Sequence, residues 1–119
     1  MDGKLFPSEL HVMQVVWEEG PSSARRIADV LAERVGWSKT TTYTVIKKCL
    51  EKGALTRTDP GFLCTAAITE KEIRRQETEE LIDRFFGGRA DRLAASLFED
   101  GVLSPEEIAE LRRRITEMH

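Results

Sequence analysis

Gly36 and Trp37 alone separate one amphipathic stretch from the N-cap of the next, and this spacing constrains the chain more than any other feature. In the first stretch Ser23 can cap a helix whose apolar residues are Ala24, Ile27, Ala28, Leu31, Ala32 and Val35, a period of about 3.6. Arg25, Arg26 and Arg34 fall outside that set, and Gly36 closes it. In the second, Ser38 can cap and Gly53 can stop a helix over residues 38–52. Thr42, Val45, Ile46, Cys49 and Leu50 recur there at the spacing of one buried stripe. At about 100° per residue, Thr40, Thr44, Lys47 and Lys48 point the other way, with Thr41 and Tyr43 beside them.

Such an outer face carries hydroxyls and cations, with Glu51 its one acid, at the far end. Taken alone, it also reads as an ordinary solvated surface. The preceding helix and the short glycine-containing turn favour the other reading, a helix-turn-helix whose second helix enters the major groove of DNA. The candidate DNA contacts are then Ser38, Lys39, Thr40, Thr41, Tyr43, Thr44, Lys47 and Lys48. Hydroxyls near the helix start can reach base edges or phosphates, and lysines can bind phosphate oxygens.

Before this motif, Ser8 can cap a first helix running to about Glu19, with Leu10, Met13, Val16 and Trp17 inward and Gly20-Pro21 ending it. After it, Ala54–Thr58 and Phe62–Ala66 read as strands around an Asp59-Pro60-Gly61 turn. A helix-turn-helix followed by a hairpin is a winged helix. Its wing is short, and Arg57, its one cation, is the only wing candidate for a DNA contact. Residues 1–68 are therefore expected to form a winged helix-turn-helix domain, mainly α with a small β-hairpin.

Residues 69–119 read as a separate helical region. Thr69 and Glu72 make a capping box opening a fourth helix, in which no large apolar residue occurs between Ile73 and Leu81. Such a helix looks like an arm leaving the winged domain. Leu81, Ile82, Phe85 and Phe86 then crowd its end before Gly87-Gly88. A short fifth helix carries Leu93, Ala94, Leu97 and Phe98. A last one, opened by Ser104-Pro105-Glu106-Glu107, places Ile108, Leu111, Ile115 and Met118 on a narrow seam. About 50 residues are too few to enclose a core of their own. The candidate dimerisation residues are Leu81, Ile82, Phe85, Phe86, Leu93, Leu97, Phe98, Ile108, Leu111 and Ile115, covered most simply by a second copy of the chain. The alternative is that these seams fold back onto the winged domain.

Charge sharpens this division. The formal net charge of −3 does not itself suggest a polyanion binder, but residues 1–68 sum to +1 and residues 69–119 to −4. Binding to DNA needs only a local basic surface. The N-terminal run Met1-Asp2-Gly3-Lys4-Leu5-Phe6-Pro7 has no apolar signal core, and no stretch is apolar enough to span a bilayer. A cytoplasmic protein without a membrane partner is the expectation. Cys49 and Cys64 lack metal-type spacing, and Cys49 reads as an inert core thiol. His11 and His119 lie at opposite ends, without a nucleophile constellation, phosphate loop or ligand cluster. Neither an enzyme nor a bound metal or cofactor is expected. A winged helix serving only as a protein-interaction adaptor is the competing class, but it would want an apolar outer face.

Several of these segments recur together. Phe6-Pro7-Ser8-Glu9-Leu10 through Trp17, Gly36-Trp37-Ser38 with its threonine-rich helix, Glu51-Lys52-Gly53-Ala54-Leu55, Phe86-Gly87-Gly88 and Leu103–Ile108 resemble, in this order, the penicillinase-repressor family. These are the β-lactamase, methicillin-resistance and copper-homeostasis repressors of bacteria. The resemblance implies a homodimeric repressor of an inverted-repeat double-stranded DNA operator, linked to antibiotic resistance, with Ser38, Thr40, Thr41, Thr44 and Lys48 facing DNA. Many members place an arginine after the wing glycine, where this chain has Phe62. Copper-responsive members carry C-terminal Cys-x-Cys pairs, and this chain has no cysteine after Cys64. Antibiotic-responsive members are cut by a regulatory protease at an Asn-Phe bond, in the region that here reads Ser96-Leu97. A regulatory protease is an implied partner, but one that reads Asn-Phe is not expected to cut here.

Overall fold

The computed structural model describes residues 3–118; Met1, Asp2 and His119 lie outside them. The elements follow in the order α1 (Pro7–Glu19), β1 (Ser22–Ser23), α2 (Ala24–Val35), α3 (Lys39–Glu51), β2 (Leu55–Thr58), β3 (Leu63–Ala66), α4 (Glu70–Phe86), α5 (Ala90–Glu99) and α6 (Pro105–Glu117). The chain divides into two compact units, Met1–Arg74 and Arg75–His119. That division lies inside α4, six residues beyond the end of the expected 1–68 domain, because Ile73 is 5% exposed and belongs to the first unit's core.

In the first unit α1 is the central helix. Val12, Met13, Val15 and Val16 are all buried, more than one amphipathic stripe supplies, because α1 packs against α2, α3 and β3. Its start differs from the expected Ser8 cap. Phe6 occupies the cap position and Pro7 the first turn, where proline's missing N–H costs nothing. The Phe6 N–H donates to the Glu9 carboxylate at 2.7 Å. Ser23 caps α2 as expected, its Oγ accepting from the Arg26 N–H at 3.0 Å. Ala24, Ile27, Ala28, Val30 and Leu31 line its buried side, while Ala32 and Val35 are exposed. Gly36 takes the left-handed conformation (φ 73°) that lets the chain turn directly into α3.

The hairpin gains a third strand that the sequence pattern did not suggest. Ser22 and Ser23 pair antiparallel with Cys64 and Leu63, giving the order β1-β3-β2. In β2–β3 Leu55 faces Ala66 and Arg57 faces Cys64. Trp17 lends its indole N–H to the Ile68 carbonyl at 2.9 Å, tying the exit from the sheet to α1.

The polar centre of this core is Glu9. It is 1% exposed, and one carboxylate oxygen accepts from Lys52 Nζ at 2.6 Å. Lys52 also donates to the Lys4 carbonyl at 2.6 Å and lies 4.2 Å from the Phe6 ring centroid. The pair thus pins the start of α1 to the end of α3. Lys52→Met should cost about 3 kcal/mol, because it strands a buried carboxylate. Adding Glu9→Leu to Lys52→Met should return most of that loss. Urea midpoints at fixed protein concentration check this; simply additive costs would show that the pair is not coupled.

Candidate nucleic-acid interface

Helix α3 presents the proposed surface. Its buried residues are Thr42, Val45, Ile46 and Cys49, with Leu50 partly covered, as the periodicity predicted. Burial pushes the Cys49 thiol up to about 12, with the Glu9 carboxylate adding to it, so this cysteine is a protonated core residue. Thr42 is fully buried, and its hydroxyl has no hydrogen-bond partner among the described residues.

The opposite side is continuous and polar. Ser38, Lys39, Thr40, Thr41, Thr44, Lys47 and Lys48 are all exposed. Ser38 is the N-cap, accepting from the Thr41 N–H at 3.2 Å and donating its own proton to Thr41 Oγ1 at 3.0 Å. The Thr44 hydroxyl donates back to the Thr40 carbonyl at 3.0 Å, which sets its rotamer and leaves its lone pairs available outward. Trp37, just before the cap, packs edge-on against His11 of α1, with ring centroids 5.6 Å apart. His11 is therefore part of the support beneath the helix start.

Several cations elsewhere on this unit are cancelled at close range. Arg26 binds Glu19 at 2.9 Å and Arg34 binds Glu18 at 2.7 Å. The hydrogen bond from Arg26 holds the Glu19 carboxyl below its ordinary range. Lys47 and Lys48 have no ion pair among the described residues. The positive charge that survives local pairing therefore includes the outward face of α3.

Two expected contacts occupy different surroundings. Tyr43 is half-buried, and its ring lies 6.0 Å from that of Phe62. Arg57 binds Asp59 at 3.1 Å and lies over the Phe62 ring, 3.6 Å from its centroid. Sequence reasoning missed Phe62 as a partner of either residue. Glu9 and Lys52 were missed as supports of α3; the signal was Glu9 as the one carboxylate between Leu5 and Val16.

The proposed dimerisation residues all lie in the second unit. None of its described residues is fully buried. Leu81, Phe85, Phe98 and Ile115 are exposed, Phe85 at 66%; Ile82, Phe86, Leu93, Leu97, Ile108 and Leu111 are half-buried. Phe98, Ile108, Leu111 and Ile115 line one shallow apolar groove. No group of three or more His, Cys, Asp or Glu among the described residues could hold a metal ion, and no described helix is long and apolar enough to cross a membrane.

A sequence model of the penicillinase repressors matches residues 5–117, almost the whole chain. The chain belongs to the penicillinase repressor family. Among its relatives, the penicillinase repressor of Bacillus licheniformis is 29% identical over 116 residues, spanning 96% of this chain and 91% of that protein. The methicillin resistance regulatory protein MecI of Staphylococcus aureus is 27% identical over 117 residues, spanning 94% and 95% respectively. The solved DNA-binding domain of the repressor BlaI matches with a TM-score of 0.55 and 28% identity, covering 60% of this chain and 93% of that one. Monomeric Bacillus licheniformis BlaI, solved in complex with the blaP half-operator, matches with a TM-score of 0.53 and 27% identity, covering 60% and 90%. The mainly helical fold with its small antiparallel sheet is thus the winged helix of the penicillinase repressor family, whose members are transcriptional repressors and not enzymes.

Proposed function

We propose that this protein is a homodimeric transcriptional repressor that inserts α3 into the major groove of each half of an inverted-repeat operator. The observation that carries the reading is the uninterrupted hydroxyl-and-lysine face of α3, on a fold similar to one solved with a half-operator bound. Thr40, Thr41 and Thr44 are suited to base edges, and Ser38, Lys39, Lys47 and Lys48 to phosphates. An adaptor that binds only proteins would need apolar residues on this face, and it has none. The cytoplasm, where an operator is reached, is the proposed setting.

Dimerisation is proposed through the second unit. Its apolar residues have no interior to occupy, and a symmetric second copy would cover them. Joining two weak half-site interactions raises affinity steeply, so whatever separates the dimer releases the DNA. A regulatory protease would act in this way. In this chain Ser96-Leu97 lies within α5; Leu97 is half-buried, and the Ser96 hydroxyl is bonded to the Leu93 carbonyl at 2.8 Å. Cleavage there would require the helix to open.

Three outcomes are expected. Lys47→Ala and Lys48→Ala should each weaken binding to all DNA sequences and flatten the log K against log salt slope by about one unit, whereas Thr44→Ala should change preference among operators by roughly 1–3 kcal/mol. Gel shifts over a salt series test this, and unchanged affinity in both lysine variants overturns the assignment. A fragment of residues 1–74, which keeps Ile73, should be folded and monomeric by sedimentation and bind the operator about 100-fold or more weakly; a dimeric fragment would place the interface elsewhere. Cells exposed to a β-lactam should retain the chain uncut at Ser96-Leu97, as followed by mass spectrometry; a fragment ending at Ser96 would refute this.

A further inference from the structure

Four side chains form one continuous column between the wing and the first turns of α3. The Arg57 guanidinium carbon lies 3.6 Å from the Phe62 ring centroid, close enough for a stacked cation–π interaction. Phe62 in turn meets Tyr43, with centroids 6.0 Å apart and ring planes 32° from parallel, within the range of aromatic pairs. Lys39 Nζ in turn lies 5.6 Å from the Tyr43 centroid.

Both ends of the column are restrained. Asp59 accepts from Arg57 Nε with both oxygens at 3.1 Å, holding the guanidinium over the ring. Phe62 sits at φ 48°, a conformation that side chains other than glycine rarely adopt, and its carbonyl accepts from the Ala24 N–H at 2.9 Å. The backbone is thus held in an uncommon state that aims the ring at α3. At the other end, Lys39, Thr40 and Thr44 are the face that the proposed function assigns to DNA.

We propose that Arg57 and Phe62 are positioning residues for operator recognition: through Tyr43 they hold the first two turns of α3 at the angle that presents its threonines to base edges. The wing therefore acts on specificity from behind the helix, and Arg57 contributes packing to its neighbours, with its charge already matched by Asp59. This inference rests on α3 being the recognition helix.

A phosphate-binding role and a bracing role for Arg57 differ in a measurable way. Substituting a cation that binds phosphate flattens the salt dependence by about one unit and weakens all DNA alike. Removing a brace leaves that slope unchanged and lowers operator binding more than nonspecific binding. The test measures full-length Arg57→Gln, Phe62→Leu and the double variant against operator and unrelated duplexes over a salt series. Urea midpoints are recorded alongside, so that only folded protein is compared. Each single variant should lower the ratio of operator to nonspecific affinity by about tenfold, within the range expected for such interactions. The salt slope should stay unchanged, and the double variant should be no worse than the singles, because both break one column. Phe62→Tyr, which keeps the ring, should retain the ratio. A flattened slope in Arg57→Gln, or an unchanged ratio in Phe62→Leu, overturns the proposal. Lys47→Ala and Lys48→Ala, measured in parallel, separate the two levels. If those lysine variants weaken binding and the column variants do not, only the brace fails; if the lysine variants also have no effect, the recognition-helix reading falls with it.

Discussion

The first unit depends on a single buried ion pair. Glu9 is the one carboxylate of α1 that faces the core, and water reaches only 1% of its surface. Burying it alone would be costly, so the fold must bring a cation to it. Lys52 does this from the C-terminal end of α3, and the Phe6 N–H supplies a second donor. The contact joins residues 43 positions apart, and it sets where α3 ends relative to α1. Everything that α3 presents outward inherits that placement. At the other end of α3, Trp37 against His11 does the same in apolar form.

With the helix held at both ends, the chemistry of its outer face follows from what is left unpaired. The chain is acidic overall, yet a polyanion meets a surface and not a sum. Glu18 and Glu19 each cancel an arginine of α2, and Asp59 cancels the wing's arginine. Lys47 and Lys48 meet no such acid among the described residues, and the charge left unpaired includes theirs, beside hydroxyls that are free to bond. Surface pairs of this kind contribute little to stability, so their effect here is on where charge remains.

The second unit has a different balance. Its helices are well made locally: Ser104 and Glu107 complete a reciprocal capping box, and Arg113 and Arg114 converge on Glu110, holding that carboxyl down at about 2. Those charges lie at the surface, along one side of α6. The other side carries Ile108, Leu111 and Ile115, which find no interior. Local order without a core is what a segment of this size is expected to show, since about 45 residues enclose little interior.

Much of this was legible from residue order alone. Caps and periodicity are local properties, and Ser23, Ser38, Gly36 and the Thr42–Leu50 stripe could be read because a helix repeats every 3.6 residues wherever it sits. The division between an apolar and a polar side of α3 follows from the same repeat. Tertiary structure decided what lies beyond one element's reach. The two-residue strand Ser22–Ser23 exists only because β3 offers it an edge, and Phe6 replaced Ser8 as the cap because Glu9 turned inward to Lys52. Tyr43 and Arg57, which resemble surface contacts in the sequence, meet through Phe62, a residue whose positive φ no local pattern announced. Helix and turn signals are carried by neighbours in sequence, whereas ion pairs, ring stacks and sheet edges depend on which distant segments the core brings together.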